Sequence, residues 1–236
     1  MSAARAQPIE VALDDGGEVS GLALAPPDAI AAYVLAHGAG AGMAHPFMAA
    51  AAEGLARRRV ATLRFQFPAM ERGSKRVDSP KVAQGAVRSA VAEAARRWPE
   101  LALFAGGKSF GGRMTSQAQA QSPLPGVRGL AFLGFPLHPA GRPADERGAH
   151  LAAVRIPMLF LQGSRDALAS LDLLRPLVAK LGSRATLAVF ADADHSFHVP
   201  ARTGGRGSSA LPGQAKDAEV LAQVLDTLVE WMKAQR

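Results

Sequence analysis

The chain has 236 residues, with 27 basic and 20 acidic side chains for a formal charge of +7, and it contains no cysteine. That excludes disulfide scaffolds, thiolate zinc sites, iron–sulfur clusters and cysteine nucleophiles. With 48% hydrophobic and 20% charged residues the composition is globular, and the length suits one domain, 1–236, with a sizeable core.

The first eight residues carry one arginine and no apolar core of a secretory signal, and no apolar run reaches the ~18 residues that would span a bilayer. We therefore expect a cytoplasmic protein with no membrane partner. The densest basic cluster, Arg57-Arg58-Arg59, stands at an expected helix end, where cations offset the helix dipole. No aromatic residues interleave with it, so no nucleic-acid partner is expected. Oligomeric state is left open.

In chain order, two short strands over 9–13 and 19–24 flank Asp14-Asp15-Gly16-Gly17, whose Asp/Gly composition suits a tight hairpin and hence an antiparallel edge. Strands then alternate with helices. Strands are expected over 32–36, 60–65, 101–105, 129–133, 158–162 and 186–190, with helices over 46–58, 80–97, 112–121, 171–181 and 215–234. This alternation predicts an α/β fold: a mostly parallel twisted sheet with helices on both faces. The stretches 66–79, 136–149 and 199–214 are rich in Gly, Pro or charge and read as loops. Each follows a strand end, the side of an open sheet where ligands bind. The stretch between Leu133 and Met158 is too short for a helical cap, so an open site is expected.

The most informative segment is Gly107-Lys-Ser109-Phe-Gly111. It is a G-x-S-x-G sequence directly after a strand and before a helix, where small residues let the two elements close on each other and present the serine hydroxyl. Alone, the motif is common in a chain with 24 glycines, and its serine could simply cap a helix. A serine nucleophile also needs a base and a carboxylate that orients it. Past the next-to-last expected strand comes Gly163-Ser-Arg-Asp166, and past the last comes Asp194-His195. The order Ser109, Asp166, His195 and the placement at strand ends both suit a triad. Asp192 and Asp194 are rival acids, but each lies too close in sequence to reach behind the imidazole ring. The loop His37-Gly38-Ala39-Gly40, after the first strand of the parallel series, offers an N–H of Ala39 or Gly40 to pair with that of Phe110 as an oxyanion hole.

The chain resembles the α/β-hydrolases, and more narrowly the small, dienelactone-hydrolase-like family that includes a testis-expressed protein and a subunit of the NSL histone acetyltransferase complex. The matching residues are His37-Gly-Ala-Gly40 with His45-Pro-Phe-Met48, Arg64-Phe-Gln-Phe-Pro68, Gly107-Lys-Ser-Phe-Gly-Gly-Arg113, Gly134-Phe-Pro-Leu-His138-Pro, Gln162-Gly-Ser-Arg-Asp166 and Asp194-His-Ser-Phe197. The resemblance implies an α/β-hydrolase fold and the triad Ser109, Asp166 and His195. With no cysteine available, the nucleophile is oxygen, unlike relatives that use sulfur at the same elbow.

Among the six histidines, His37 is expected to order the oxyanion loop, His45 to cap the first helix, and His138 and His150 to fall in a polar loop. A metal site at Asp192, Asp194 and His198 lacks a second histidine group, so neither metal nor cofactor is expected. Arg64, Lys108 and Arg113 lie beside the expected site. Either one of them binds an acidic substrate group, or Arg64 and Arg113 fix the elbow through buried carboxylates or loop carbonyls, and the second reading is preferred. If these three, with Arg202 and Arg206, faced the mouth, the substrate would be anionic. Wall candidates are Phe47, Met48, Phe65, Phe67, Phe110, Phe135 and Phe197, the alternative being that most of them are core. The function expected is hydrolysis of a small carboxylic ester or thioester through an acyl-enzyme. A catalytically silent binding or assembly module, and a serine peptidase or cofactor-free haloperoxidase-like enzyme, are the alternatives.

Overall fold

The structure is a computed structural model that describes residues 5–74, 76–200 and 213–235. The chain opens with β1 (Gln7–Ala12) and β2 (Glu18–Leu24), an antiparallel pair. Their turn is closed by Leu13 N–H donating to the Gly17 carbonyl at 2.8 Å, with Gly16 at φ 84°. Then follow β3 (Ala31–Ala36), α1 (Pro46–Ala56), β4 (Val60–Phe65), the single turn α2 (Pro68–Glu71), α3 (Pro80–Arg97) and β5 (Ala102–Lys108). The chain continues through α4 (Phe110–Gln121), β6 (Val127–Leu133), a 3-10 segment (Glu146–Ala153), β7 (Met158–Gly163), α5 (Leu171–Leu181), β8 (Ala185–Phe190) and α6 (Gly213–Ala234).

The eight strands form one sheet in the order β1-β2-β4-β3-β5-β6-β7-β8, parallel from β4 to β8 and antiparallel at β1 and β2. The α/β expectation and its antiparallel edge are therefore met. Strands β3, β4, β5 and β7 are buried along their whole length, as near-continuous apolar runs covered on both faces should be. Alternation sorts their side chains. Ala32, Val34 and Ala36 pack towards α3, α4 and α5, whereas Ala31, Tyr33 and Leu35 pack towards α1 and α6. Tyr33 is wholly buried and reaches over β5 to donate its phenol to the Ala131 carbonyl of β6 at 2.8 Å.

Three differences from the expected elements lie at the ligand-binding edge, one of them the helical turn α2 within the loop expected over 66–79. Strand β5 runs three residues further, to Lys108, and α4 starts two residues earlier, at Phe110, so strand and helix are separated by Ser109 alone. The expected loop 136–149 leads into the 3-10 segment, whose Leu151 is buried in the core. No cap domain occurs among the described residues, and no described helix is long and apolar enough to cross a membrane. Most of the loop expected over 199–214, with Arg202 and Arg206, lies outside the described residues.

Candidate active site

Because β3 to β8 are parallel, the segments after them gather along one edge of the sheet. Between β5 and α4, Ser109 adopts φ 52° and ψ −117°. A non-glycine residue with that backbone costs about 1–3 kcal/mol and needs surroundings that enforce it. Here Ser109 N–H donates to the Leu133 carbonyl at 3.2 Å and its own carbonyl accepts from Arg113 N–H at 3.1 Å. The elbow also presses against β3: a Cβ on either Gly107 or Gly111 would collide with the carbonyl oxygen of Ala36. Both glycines of the motif are therefore dictated by the close approach of three backbone segments.

The segment after β8 brings His195 over this elbow, with Nε2 2.8 Å from Ser109 Oγ and Nδ1 2.6 Å from Asp166 Oδ2. A carboxylate only accepts, so Nδ1 carries the proton and Nε2 is left as an acceptor for the serine hydroxyl. Asp166, from the segment after β7, has a fully buried side chain. Its Oδ1 accepts from Leu168 N–H at 2.7 Å, and its Oδ2 also accepts from the Gln162 amide. Gln162 is itself wholly buried and accepts from Phe135 N–H at 2.9 Å.

The turn after β3 lies on the other side of the serine. Ala41 N–H donates to Gly38 O at 3.2 Å, and a Cβ on Gly38 would sit 3.7 Å from Ser109 Cβ. His37 orders this turn as expected: Nδ1 donates to Gly38 O at 2.7 Å and Nε2 accepts from Phe67 N–H at 3.1 Å. Burial pushes its pKa down, which suits the neutral ring that this pattern requires. Ala39, Gly40, Phe67, Met70, Val77 and Phe110 border a small cleft of about 10 Å3 beside the elbow. Phe110 N–H belongs to the first turn of α4, whose amides have no partner within the helix.

Other expected site residues fall elsewhere. Met48 and Phe135 belong to the interior rather than the cleft wall: Met48 faces the sheet from α1, and Phe135 packs on Phe132 and Phe160. Phe65 lies in the core, and Phe197 is buried beside Phe47 and Phe190. For Phe65, Phe135 and Phe197 the reason is that an apolar residue at or beyond a strand end can face either the mouth or the layer beneath it, whereas Met48 lies on the buried face of α1. Of the expected wall, Phe67 and Phe110 line the cleft. Arg64 is buried and donates to the Met43 carbonyl at 2.9 Å, in the segment between β3 and α1. Lys108 donates to the His195 carbonyl at 2.5 Å, while Arg113 lies against the Phe110 ring.

The remaining polar residues hold loops. His45 accepts from Phe47 N–H at the start of α1, and His138 accepts from Ser170 N–H at the start of α5. His150 meets Ser116 Oγ at 2.8 Å, and burial, reinforced by Arg113, pushes its pKa down to about 4. Near His195, Asp194 accepts from Ser196 and His198 N–H groups, Asp192 pairs with Arg165 and His198 pairs with Asp217. Two residues with consequences for the site were given no role from sequence. One is Gln162, signalled only by a polar amide ending an apolar run. The other is Asp78, buried, whose two oxygens accept from Ala69 N–H at 3.0 and 2.8 Å and fold the loop after β4 onto itself.

Comparison with known proteins agrees with this architecture. The chain is similar to a dienelactone hydrolase from Anabaena variabilis at 19% identity and a TM-score of 0.78, covering 99% of both chains. It is similar to an α/β serine hydrolase homologue from Coxiella burnetii at 16% identity and a TM-score of 0.73, covering 94% of this chain and 97% of that one. It also resembles an α/β serine hydrolase without lid from Xanthomonas campestris, at 17% identity and a TM-score of 0.70, covering 96% and 95%. A family model described as an α/β-hydrolase domain matches residues 29–223. With that match over most of its length and the same sheet beneath it, the chain belongs to the α/β-hydrolase family.

Proposed function

We propose that the protein is a serine hydrolase that cleaves a small carboxylic ester or thioester by way of an acyl-enzyme. The observation that carries this reading is the continuous hydrogen-bonded line from Ser109 Oγ through the His195 ring to the buried Asp166 carboxylate. In this scheme Ser109 Oγ attacks the acyl carbonyl and passes its proton to His195 Nε2. Asp166 holds the imidazole in the required tautomer and stabilises its cation. The N–H of Phe110, with that of Ala39 or Gly40, receives the oxyanion, each donor being worth roughly 3–4 kcal/mol in comparable sites. His195 then returns the proton to the leaving alkoxide or thiolate, and water clears the acyl group by the same steps in reverse. The Phe67 and Phe110 side chains leave little open space beside the elbow, in keeping with a short acyl group, and the absence of a cap among the described residues favours a substrate that approaches from open solvent.

A fluorophosphonate probe tests the reading directly. The wild-type protein should label at one site, Ser109→Ala should abolish labelling, and His195→Ala should slow it by about 100-fold or more. Labelling that survives Ser109→Ala, or is indifferent to His195→Ala, overturns the scheme. A wild-type protein that does not label at all points instead to a silent binding module. Against p-nitrophenyl esters of rising chain length, turnover should be highest for the shortest acyl groups.

A further inference from the structure

Lys108 is buried, yet no carboxylate forms an ion pair with it among the described residues. Removing an ammonium from water costs several kcal/mol unless other groups replace its hydration. What replaces it here is specific. Nζ donates to the backbone carbonyl oxygen of His195 at 2.5 Å and lies 5.8 Å from the ring centroids of both Phe47 and Phe197, which stack on each other at 6.1 Å. Electron-rich ring faces and a carbonyl dipole are the surroundings that favour a cation over a neutral amine.

The position of Lys108 in the chain gives this contact its meaning. Lys108 precedes Ser109 at the end of β5, whereas His195 sits on the segment after β8 at the far edge of the sheet, 87 residues later. The side chain before the nucleophile therefore grips the backbone of the base. We propose that Lys108 is a positioning residue that fixes the His195 backbone relative to Ser109, so that Nε2 stays in line with the serine hydroxyl. The proposal rests on the serine-hydrolase reading above. It assigns Lys108 to the base-bearing segment and leaves the substrate untouched by its charge.

Burial pushes the Lys108 pKa down to about 8, partly opposed by the negative charges of Asp166 and Asp194. The groups facing it are Asp166 from the segment after β7, Asp194 and His195 from that after β8, the Phe47 ring from α1, and backbone at Gly38 and Gly134. Above pH 8 the ammonium loses its proton. A neutral amine holds the carbonyl more weakly and is not drawn to the ring faces. The alignment of His195 should then loosen, and the rate should fall along a one-proton limb at alkaline pH.

The test compares wild type, Lys108→Met, Lys108→Arg and Ser109→Ala in fluorophosphonate labelling and p-nitrophenyl acetate hydrolysis from about pH 7 to about pH 10. Lys108→Met should lower the labelling rate and kcat about 10- to 100-fold, the scale of a base displaced by a fraction of an ångström, with KM within about twofold. Its profile should lack the limb near pH 8. Lys108→Arg, whose charge persists throughout this range, should recover most of the rate and carry no limb below about pH 10. A wild-type rate flat through this range, or Lys108→Met matching wild type while Ser109→Ala is inert, overturns the positioning role. Labelling that persists in Ser109→Ala overturns the serine-hydrolase reading instead. Should Lys108→Met fail to fold, the wild-type and Lys108→Arg profiles decide the matter.

Discussion

Gln162 occupies the junction between the proposed acid and the sheet: its amide donates to Asp166 while its oxygen accepts from Phe135 N–H. Replacement by leucine keeps much of the volume but strands one buried backbone donor and removes one of the partners of the Asp166 carboxylate. The stranded Phe135 N–H costs about 1–3 kcal/mol, the carboxylate keeping its bonds from Leu168 N–H and His195. Gln162→Leu should therefore lower the unfolding free energy by roughly that amount in a denaturant titration and slow fluorophosphonate labelling about tenfold, because Asp166 is freer to turn away from His195. Unchanged labelling would show that Leu168 N–H and His195 suffice to orient the carboxylate. The glycines of the elbow were legible in the sequence because a three-way backbone approach admits no other residue there. Gln162 was not, because its two partners lie four residues ahead and 27 residues behind it, and one of them is a main-chain N–H that no residue type marks.

At the scale of elements, the parallel strands were legible wherever burial on both faces left an apolar run, as in β3 and the first four residues of β7, whereas β4 carries Thr62 and Arg64 within it. The segments between them were less so. The loop after β4 carries a helical turn, α2, and is drawn together by Asp78, nine residues from the Ala69 amide it accepts from. This loop supplies Phe67, Met70 and Val77 to the cleft. Asp78→Ala should release it, and limited proteolysis should then cut between Ala69 and Val77 where the wild-type chain resists. The same variant should lose about 1–3 kcal/mol of stability for the unpaired buried N–H, and should raise KM more than it lowers kcat, since the loop borders the cleft rather than the triad. Expected wall residues such as Met48 and Phe135 proved to be core for a related reason: periodicity tells which positions are apolar and not which layer covers them.

Across the whole molecule, the strand order was the least legible feature. The sequence pattern implies parallel strands, but placing β4 outside β3, with β5 on its other side, depends on which edges meet after the chain has crossed the sheet. Part of the basic content has a structural use. Arg58 and Arg59, just past the end of α1, pair with Asp226 of α6 and with Asp28, while Arg96 and Arg97 share Glu93 within the last turns of α3. The buried phenol of Tyr33 has a separate consequence. It is the chain's one tyrosine, and burial pushes its pKa well above the ordinary 10.0. Above pH 10 the unfolded chain releases a proton that the folded chain retains, so this group makes stability fall as pH rises. The folded protein should thus stay free of phenolate absorbance in alkali, then gain it in one cooperative step coincident with the fluorescence change of the two tryptophans, Trp98 at the edge of the core and Trp231, which packs on Phe104. A gradual one-proton titration centred near pH 10 would contradict this. Tyr33 is accordingly a native optical reporter that records, without any label, whether the middle of the sheet is open to water.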